Sequence, residues 1–72
     1  MNRKLLKAKM VMNNHTIGSI SKELNVNRDT VSRWINEQSA MPLWAAIKIS
    51  EILNLSDLEI IEIFVRGGEV DE

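Results

Sequence analysis

Residues 16–36 read TIGSISKELNVNRDTVSRWIN, and this stretch decides the predicted fold. Apolar residues recur at helical spacing on one side of each half of it: Ile17, Ile20 and Leu24, then Val31, Trp34 and Ile35. Thr16 and Asn27 precede these two patterns, and both are residue types that cap helix N-termini. Asn25 tolerates the left-handed backbone conformation that a tight turn needs. The stretch therefore predicts two short helices that meet at a tight turn.

Polar side chains occupy the outward side of the second predicted helix: Arg28, Asp29, Thr30, Ser32, Arg33 and Asn36. A helix-turn-helix uses such a surface to enter the major groove of DNA. Arginine matches O6 and N7 of guanine, and aspartate can accept from N4 of cytosine. Free backbone N–H groups around Gly18, at the start of the first helix, suit a phosphate. An ordinary solvated helix has a similar composition, with Asp29 and Arg33 paired at i,i+4.

The rest of the chain continues the helical pattern. Leu6 and Met10 lie four residues apart in one helix, Pro42 suits the first position of another, and the capping box SDLE at residues 56–59 opens the last. The predicted helices cover residues 3–12, 16–24, 27–37, 42–53 and 56–65. The sequence thus predicts an all-α, compact five-helix bundle in one domain, residues 1–66. A flexible acidic tail is expected over residues 67–72.

Charge is distributed unevenly along the chain. The formal net charge is −1, but residues 1–36 hold seven bases and two acids, whereas residues 37–72 hold two bases and eight acids. The first half is therefore +5 and the second −6. This asymmetry predicts a basic surface for a polyanion and an acidic region directed elsewhere. The simpler alternative is an ordinary solvated surface on each half.

Composition argues against catalysis and metal binding. The chain has no cysteine, and its one histidine, His15, lies in a predicted loop without a carboxylate or thiol neighbour. Glycine-rich phosphate loops and nucleophile elbows are absent from the sequence. We therefore expect no enzyme activity, no cofactor and no metal. No stretch approaches about 20 apolar residues, so we expect no signal peptide, no membrane span and a cytoplasmic location.

The last predicted helix carries more apolar residues than one face can bury. We expect Leu58, Ile61 and Val65 to face the core. Ile60, Ile63 and Phe64 then remain at the surface. Together with Trp44 of the preceding helix, they are expected to form a protein interface. The alternative is a small core that uses more of each helix.

Residues 5–64 resemble the Cro and CI family of phage helix-turn-helix repressors. The resemblance rests on TIGSISKELNVNRDTVSRWIN, on the helix predicted over residues 42–53, and on NLSDLEIIEIFV at residues 54–65. It implies a lambda-repressor-like fold, operator DNA as the ligand, and a role in the lysis–lysogeny switch within a bacterial host. In the family, the positions of Arg28, Asp29 and Arg33 read bases. The positions that support contact with the DNA backbone correspond to Thr30, Ser32 and Asn36.

Two departures from the family pattern bear on DNA affinity. Ile17 stands where the family usually has a glutamine that helps to hold a phosphate. The loop after the second helix, EQSAM at residues 37–41, contains no base. Since phosphate neutralisation dominates such affinity, we expect a lone monomer to bind DNA weakly. It would then act with the phage repressor as a heteromer, or as a homodimer.

Two other functions fit the same sequence. In the first, the protein is an antirepressor that binds the phage repressor and masks its DNA-binding surface. Asp29 would then meet basic DNA-reading residues of the repressor. In the second, the protein is the antitoxin of a toxin–antitoxin pair, since such antitoxins use this fold.

Overall fold

A computed structural model describes residues 1–66, and it contains helices and connecting turns but no strand within that range. The helices are α1 (Arg3–Met12), α2 (Ile17–Leu24), α3 (Arg28–Ile35), α4 (Leu43–Ile52) and α5 (Asp57–Ile60), and α5 continues into a π-helical turn (Ile61–Val65). The predicted all-α class is confirmed. The tail expected over residues 67–72 lies outside the described residues. None of the described helices is both long and apolar enough to cross a membrane.

Side-chain caps fix where the helices begin. Thr16 Oγ1 accepts from the backbone N–H of Ser19 at 3.1 Å, and the Ser19 hydroxyl in turn accepts from the N–H of Thr16 at 2.8 Å. The Asn27 side chain caps α3 by accepting from the N–H of Asp29 at 2.8 Å. Pro42 is the N-cap of α4 and precedes its first residue, so the helix starts one position later than predicted. The predicted capping residues therefore act as caps.

The capping box of α5 also connects this helix to α1. Ser56 Oγ accepts from the N–H of Glu59 at 3.2 Å, and a Glu59 carboxylate oxygen accepts from the N–H of Ser56 at 2.8 Å. The Lys9 ammonium donates to the other carboxylate oxygen. The hydrogen bond from Lys9, followed by that from the Ser56 backbone, holds the pKa of the Glu59 carboxyl below its ordinary value.

Left-handed residues end the helices that surround the α2–α3 turn. Asn25 has φ 57° and ψ 45°, as predicted, and the N–H of Val26 donates to the carbonyl of Ser21 at 3.0 Å. Glu37 has φ 62°, and the N–H of Gln38 donates to the carbonyl of Arg33 at 2.8 Å. This second reversal ends α3 at Ile35, two residues before the predicted end.

The core is a single cluster of ten buried apolar residues from α1 to α4, the C-cap of α4 and the π-helical turn: Leu6, Met10, Ile20, Val31, Trp34, Ile35, Ala45, Ile49, Leu53 and Ile63. Ile17, Leu24 and Val26 pack against it while partly buried. The inward residues predicted for α1, α2 and α3 are therefore confirmed. Ser21 is also buried, and its hydroxyl is satisfied by the carbonyl of Gly18 at 2.7 Å. The helix that carries it, α2, packs on both α3 and α4.

The face predicted to be buried in the C-terminal segment is wrong. Ile63 is fully buried, whereas Leu58, Ile61 and Val65 are exposed by 64%, 39% and 63%. The backbone N–H of Asn2 donates to the carbonyl of Ile63 at 2.7 Å, and this places the π-helical turn against the start of α1. Ile63 thus belongs to the core and cannot contribute to a protein interface.

Candidate nucleic-acid interface

The polar strip of α3 is held at the surface by the apolar side of the same helix. Val31, Trp34 and Ile35 are buried, and the helical period turns the remaining positions outward. Among the six predicted recognition residues, three are exposed and three are partly buried: Arg28, Asp29 and Arg33, then Thr30, Ser32 and Asn36. All six are therefore brought to one helix surface, with the charged members most accessible.

The N-terminal end of α3 lies beside the start of α2. A methyl group placed on Gly18 would lie 3.9 Å from Cζ of Arg28 and 3.7 Å from Oγ1 of Thr16. The Arg28 guanidinium therefore lies next to the first turn of α2, where helical geometry leaves N–H groups without intrahelical partners. Thr16 satisfies the N–H of Ser19, which leaves the N–H groups of Ile17 and Gly18 for a ligand. The sequence predicts a phosphate at the backbone N–H of Gly18, and the structure places the Arg28 guanidinium beside this position.

An ion pair occupies the middle of the strip. Arg33 Nη2 lies 3.1 Å from Asp29 Oδ2, and the two side chains are 59% and 71% exposed. The i,i+4 pairing that an ordinary solvated helix would show is therefore present. Exposed pairs of this kind contribute about 0.2–1 kcal/mol, so a ligand can displace one partner at little cost.

The C-terminal end of α3 is connected to α1 through Asn36. The Asn36 amide donates to the carbonyl of Ser32 at 3.0 Å, and its Oδ1 accepts from the Lys7 ammonium at 2.8 Å. The backbone carbonyl of Asn36 accepts from Arg3 Nη1 at 3.0 Å. Asn36 thus holds two cations of α1 at this end of the strip. In the sequence, Arg3 and Lys7 are two of the seven bases of residues 1–36, and nothing local shows which end of α3 they approach.

Apolar surface lies apart from the strip, in two places. Trp44 is 50% exposed and contacts Trp34 edge to face, with ring centroids 5.8 Å apart. Ile60 and Phe64, both partly buried, line a groove of about 570 Å³ together with Leu43 and Ile47 of α4. Trp44 does not line this groove, so the residues predicted as one interface do not form a single surface.

The one histidine has a structural position. His15 Nδ1 lies 2.9 Å from the Ser19 hydroxyl, which belongs to the capping box of α2. His15 thus supports the start of α2, the helix beside the N-terminal end of α3.

No family model, curated protein or solved structure matches this chain. The resemblance to Cro and CI repressors therefore rests on the motifs quoted above.

Proposed function

We propose that the protein is a transcription regulator that binds operator DNA by placing α3 in the major groove. The observation that carries this proposal is the polar strip of α3, which is backed by three buried residues and begins with Arg28 beside the free N–H groups of α2. On the resemblance to Cro and CI repressors, we also propose that the fold is the lambda-repressor-like form of the helix-turn-helix. The same resemblance to these repressors suggests the phage lysis–lysogeny switch as the regulated process and the phage repressor as a partner.

Each charged residue of the strip has a chemical role in this proposal. Arg28 and Arg33 have the donor geometry for O6 and N7 of guanine. Asp29 restrains Arg33 until DNA competes for the guanidinium, or accepts from N4 of cytosine. Thr30, at the edge of the strip, reaches a phosphate or a thymine methyl group. Gly18 presents its backbone N–H to a phosphate.

Selection of duplexes from a randomised pool, followed by titration at low salt, tests this function. R28A and R33A each lose one candidate bidentate contact, so we expect each to weaken the selected duplex by about 1–3 kcal/mol. K48A is the matched control, because Lys48 lies on α4 and pairs with Glu51 at 3.9 Å. Failure of the unaltered protein to bind any duplex at low salt would overturn the proposal.

The exposed carboxylate in the strip supports a second candidate, a modulator that binds the repressor. Asp29 is 71% exposed, and a carboxylate attracts a basic protein surface but repels phosphate. In this function α3 would cover the DNA-reading residues of the repressor. Size-exclusion chromatography of the protein with the purified phage repressor, after nuclease treatment, tests it. A co-eluting complex that D29K abolishes supports this candidate, and separate elution of the two proteins excludes it.

A further inference from the structure

We infer that Arg3 and Lys7 form a phosphate-binding site for duplex DNA at the C-terminal end of α3. This inference rests on the proposed DNA-binding function and adds a second contact region to it. Cro-like proteins use the loop after the recognition helix for phosphate contact, as the resemblance implies. Here residues 37–41 contain no base, and two cations of α1 lie at the same end of the helix.

Position on α1 brings the two cations together. Arg3 and Lys7 are four residues apart and therefore lie on one side of the helix, and both are exposed. The buried Leu6 and Met10 anchor α1 in the core. Both cations bond to Asn36, at 3.0 Å for Arg3 and 2.8 Å for Lys7. A single residue at the end of α3 thus holds both side chains.

The hydrogen bonds to Asn36 leave both charges available. The acceptors are a backbone carbonyl and an amide oxygen, which carry no formal charge. Within residues 1–66, the ion pairs involve other bases: Lys9, Arg33 and Lys48. Arginine has five N–H donors and lysine has three, so most of their donors can still reach a phosphate.

The spacing of the cations along α3 fits the walls of a groove. Arg28 is the first residue of α3. Asn36, which holds the two cations, directly follows the last residue of this helix. Eight residues of helix rise about 12 Å. The major groove is about 12 Å wide between its phosphate walls. The N–H groups of α2 beside Arg28 and the two cations at Asn36 can therefore approach phosphates on opposite sides of the groove that the helix enters.

The salt dependence of binding measures this contribution directly. Titrations of R3Q, K7Q and the double variant would use one duplex selected by the unaltered protein and one random duplex. Each phosphate contact contributes about 0.9 to the slope of log K against log salt. The slope of each single variant should therefore be shallower by about 0.9, and that of the double variant by about 1.8. Between about 50 and 200 mM salt, the unaltered protein should then lose about 12-fold more affinity than the double variant.

Two controls separate charge from fold. R3K/K7R keeps both charges and should keep the slope, and K48Q removes one charge from α4 and should leave the slope unchanged. Thermal melting confirms that each variant is folded. Both duplexes should be affected equally, because phosphates carry no base identity.

The outcomes distinguish the two levels of the proposal. An unaltered protein that binds neither duplex overturns DNA binding itself, and with it this site. If the unaltered protein binds and the double variant keeps its slope, DNA binding stands and the phosphate role of Arg3 and Lys7 is wrong. A loss confined to the selected duplex would also overturn that role, since it would show that the two residues act only by positioning Asn36.

Discussion

Neutralising Asp29 should strengthen binding to DNA of any sequence. D29N removes the carboxylate that lies 3.1 Å from Arg33 and frees this guanidinium. It also removes a negative charge from the surface that is proposed to face phosphates. The same change should weaken binding to a basic protein partner. One substitution thus has opposite effects in the two candidate functions.

The expected magnitude follows from two contributions. DNA no longer has to displace the carboxylate from Arg33, a cost of about 0.2–1 kcal/mol for an exposed pair. Repulsion between a carboxylate and a phosphate about 6 Å apart in water adds about 0.7 kcal/mol. The sum, about 0.9–1.7 kcal/mol, corresponds to an affinity about 4- to 16-fold higher. A random duplex offers Arg33 no matched guanine, so the freed guanidinium should contact a phosphate there and make the slope of log K against log salt steeper by about 0.9.

Fluorescence anisotropy with a random duplex at low salt measures this gain. D57N is the matched control, because Asp57 also lies in the first turn of a helix but belongs to α5. A folded D29N with unchanged or lower affinity for the random duplex would refute the reasoning. A loss confined to the selected duplex would instead show that Asp29 accepts from a cytosine.

Two further predictions concern the C-terminal segment. I63A removes a fully buried side chain and should lower the free energy of unfolding by about 2–5 kcal/mol, whereas I61A at a 39% exposed position should change it by less than about 0.5 kcal/mol. Urea denaturation measures both losses of unfolding free energy. A larger loss for I61A than for I63A would place the face of Ile61 in the core. Because the pKa of Glu59 is lower in the folded state, its contribution to stability should be present above the unfolded value of about 4.3 and be lost as pH falls through the folded value. E59Q should flatten this part of the pH profile relative to E51Q, and equal profiles would contradict the assignment.

Local chemistry explains which parts of the fold the sequence predicts. The starts of α2, α3 and α5 follow from Thr16, Asn27 and Ser56, because a cap is made within three residues. The turn follows from Asn25 for the same reason. Helix ends are predicted less well. The stop after Ile35 depends on a left-handed glutamate, a residue type that seldom adopts this conformation.

Periodicity cannot choose between two apolar faces. In the C-terminal segment, Ile60, Ile63 and Phe64 share one face, and the other face is equally apolar. Long-range packing makes the choice: Ile63 belongs to the core cluster, and its carbonyl accepts from the backbone N–H of Asn2, far away in sequence. A π-helical turn in the same segment further shifts the spacing from the regular helical period.

The candidate site divides in the same way. The strip of α3 is predictable because one helix and its buried side define it. The positions of Arg3 and Lys7 depend on contacts that span 33 and 29 residues of the sequence. The net charge of the whole chain is a poor guide to the charge of the described domain. Residues 1–66 contain nine bases and seven acids, a formal charge of +2, although the whole chain is −1.

The number of cations beside α3 limits how tightly one copy can hold DNA. Arg3 and Lys7 would supply two phosphate contacts from side chains, which give a slope of about −1.8, and two copies would give about −3.6. Covering the groove between α4 and the C-terminal segment would leave the strip free, since no α3 residue lines this groove. A second copy or a repressor bound there is therefore compatible with DNA binding. A partner bound to the strip excludes DNA, so competition between partner and duplex identifies which surface the partner uses.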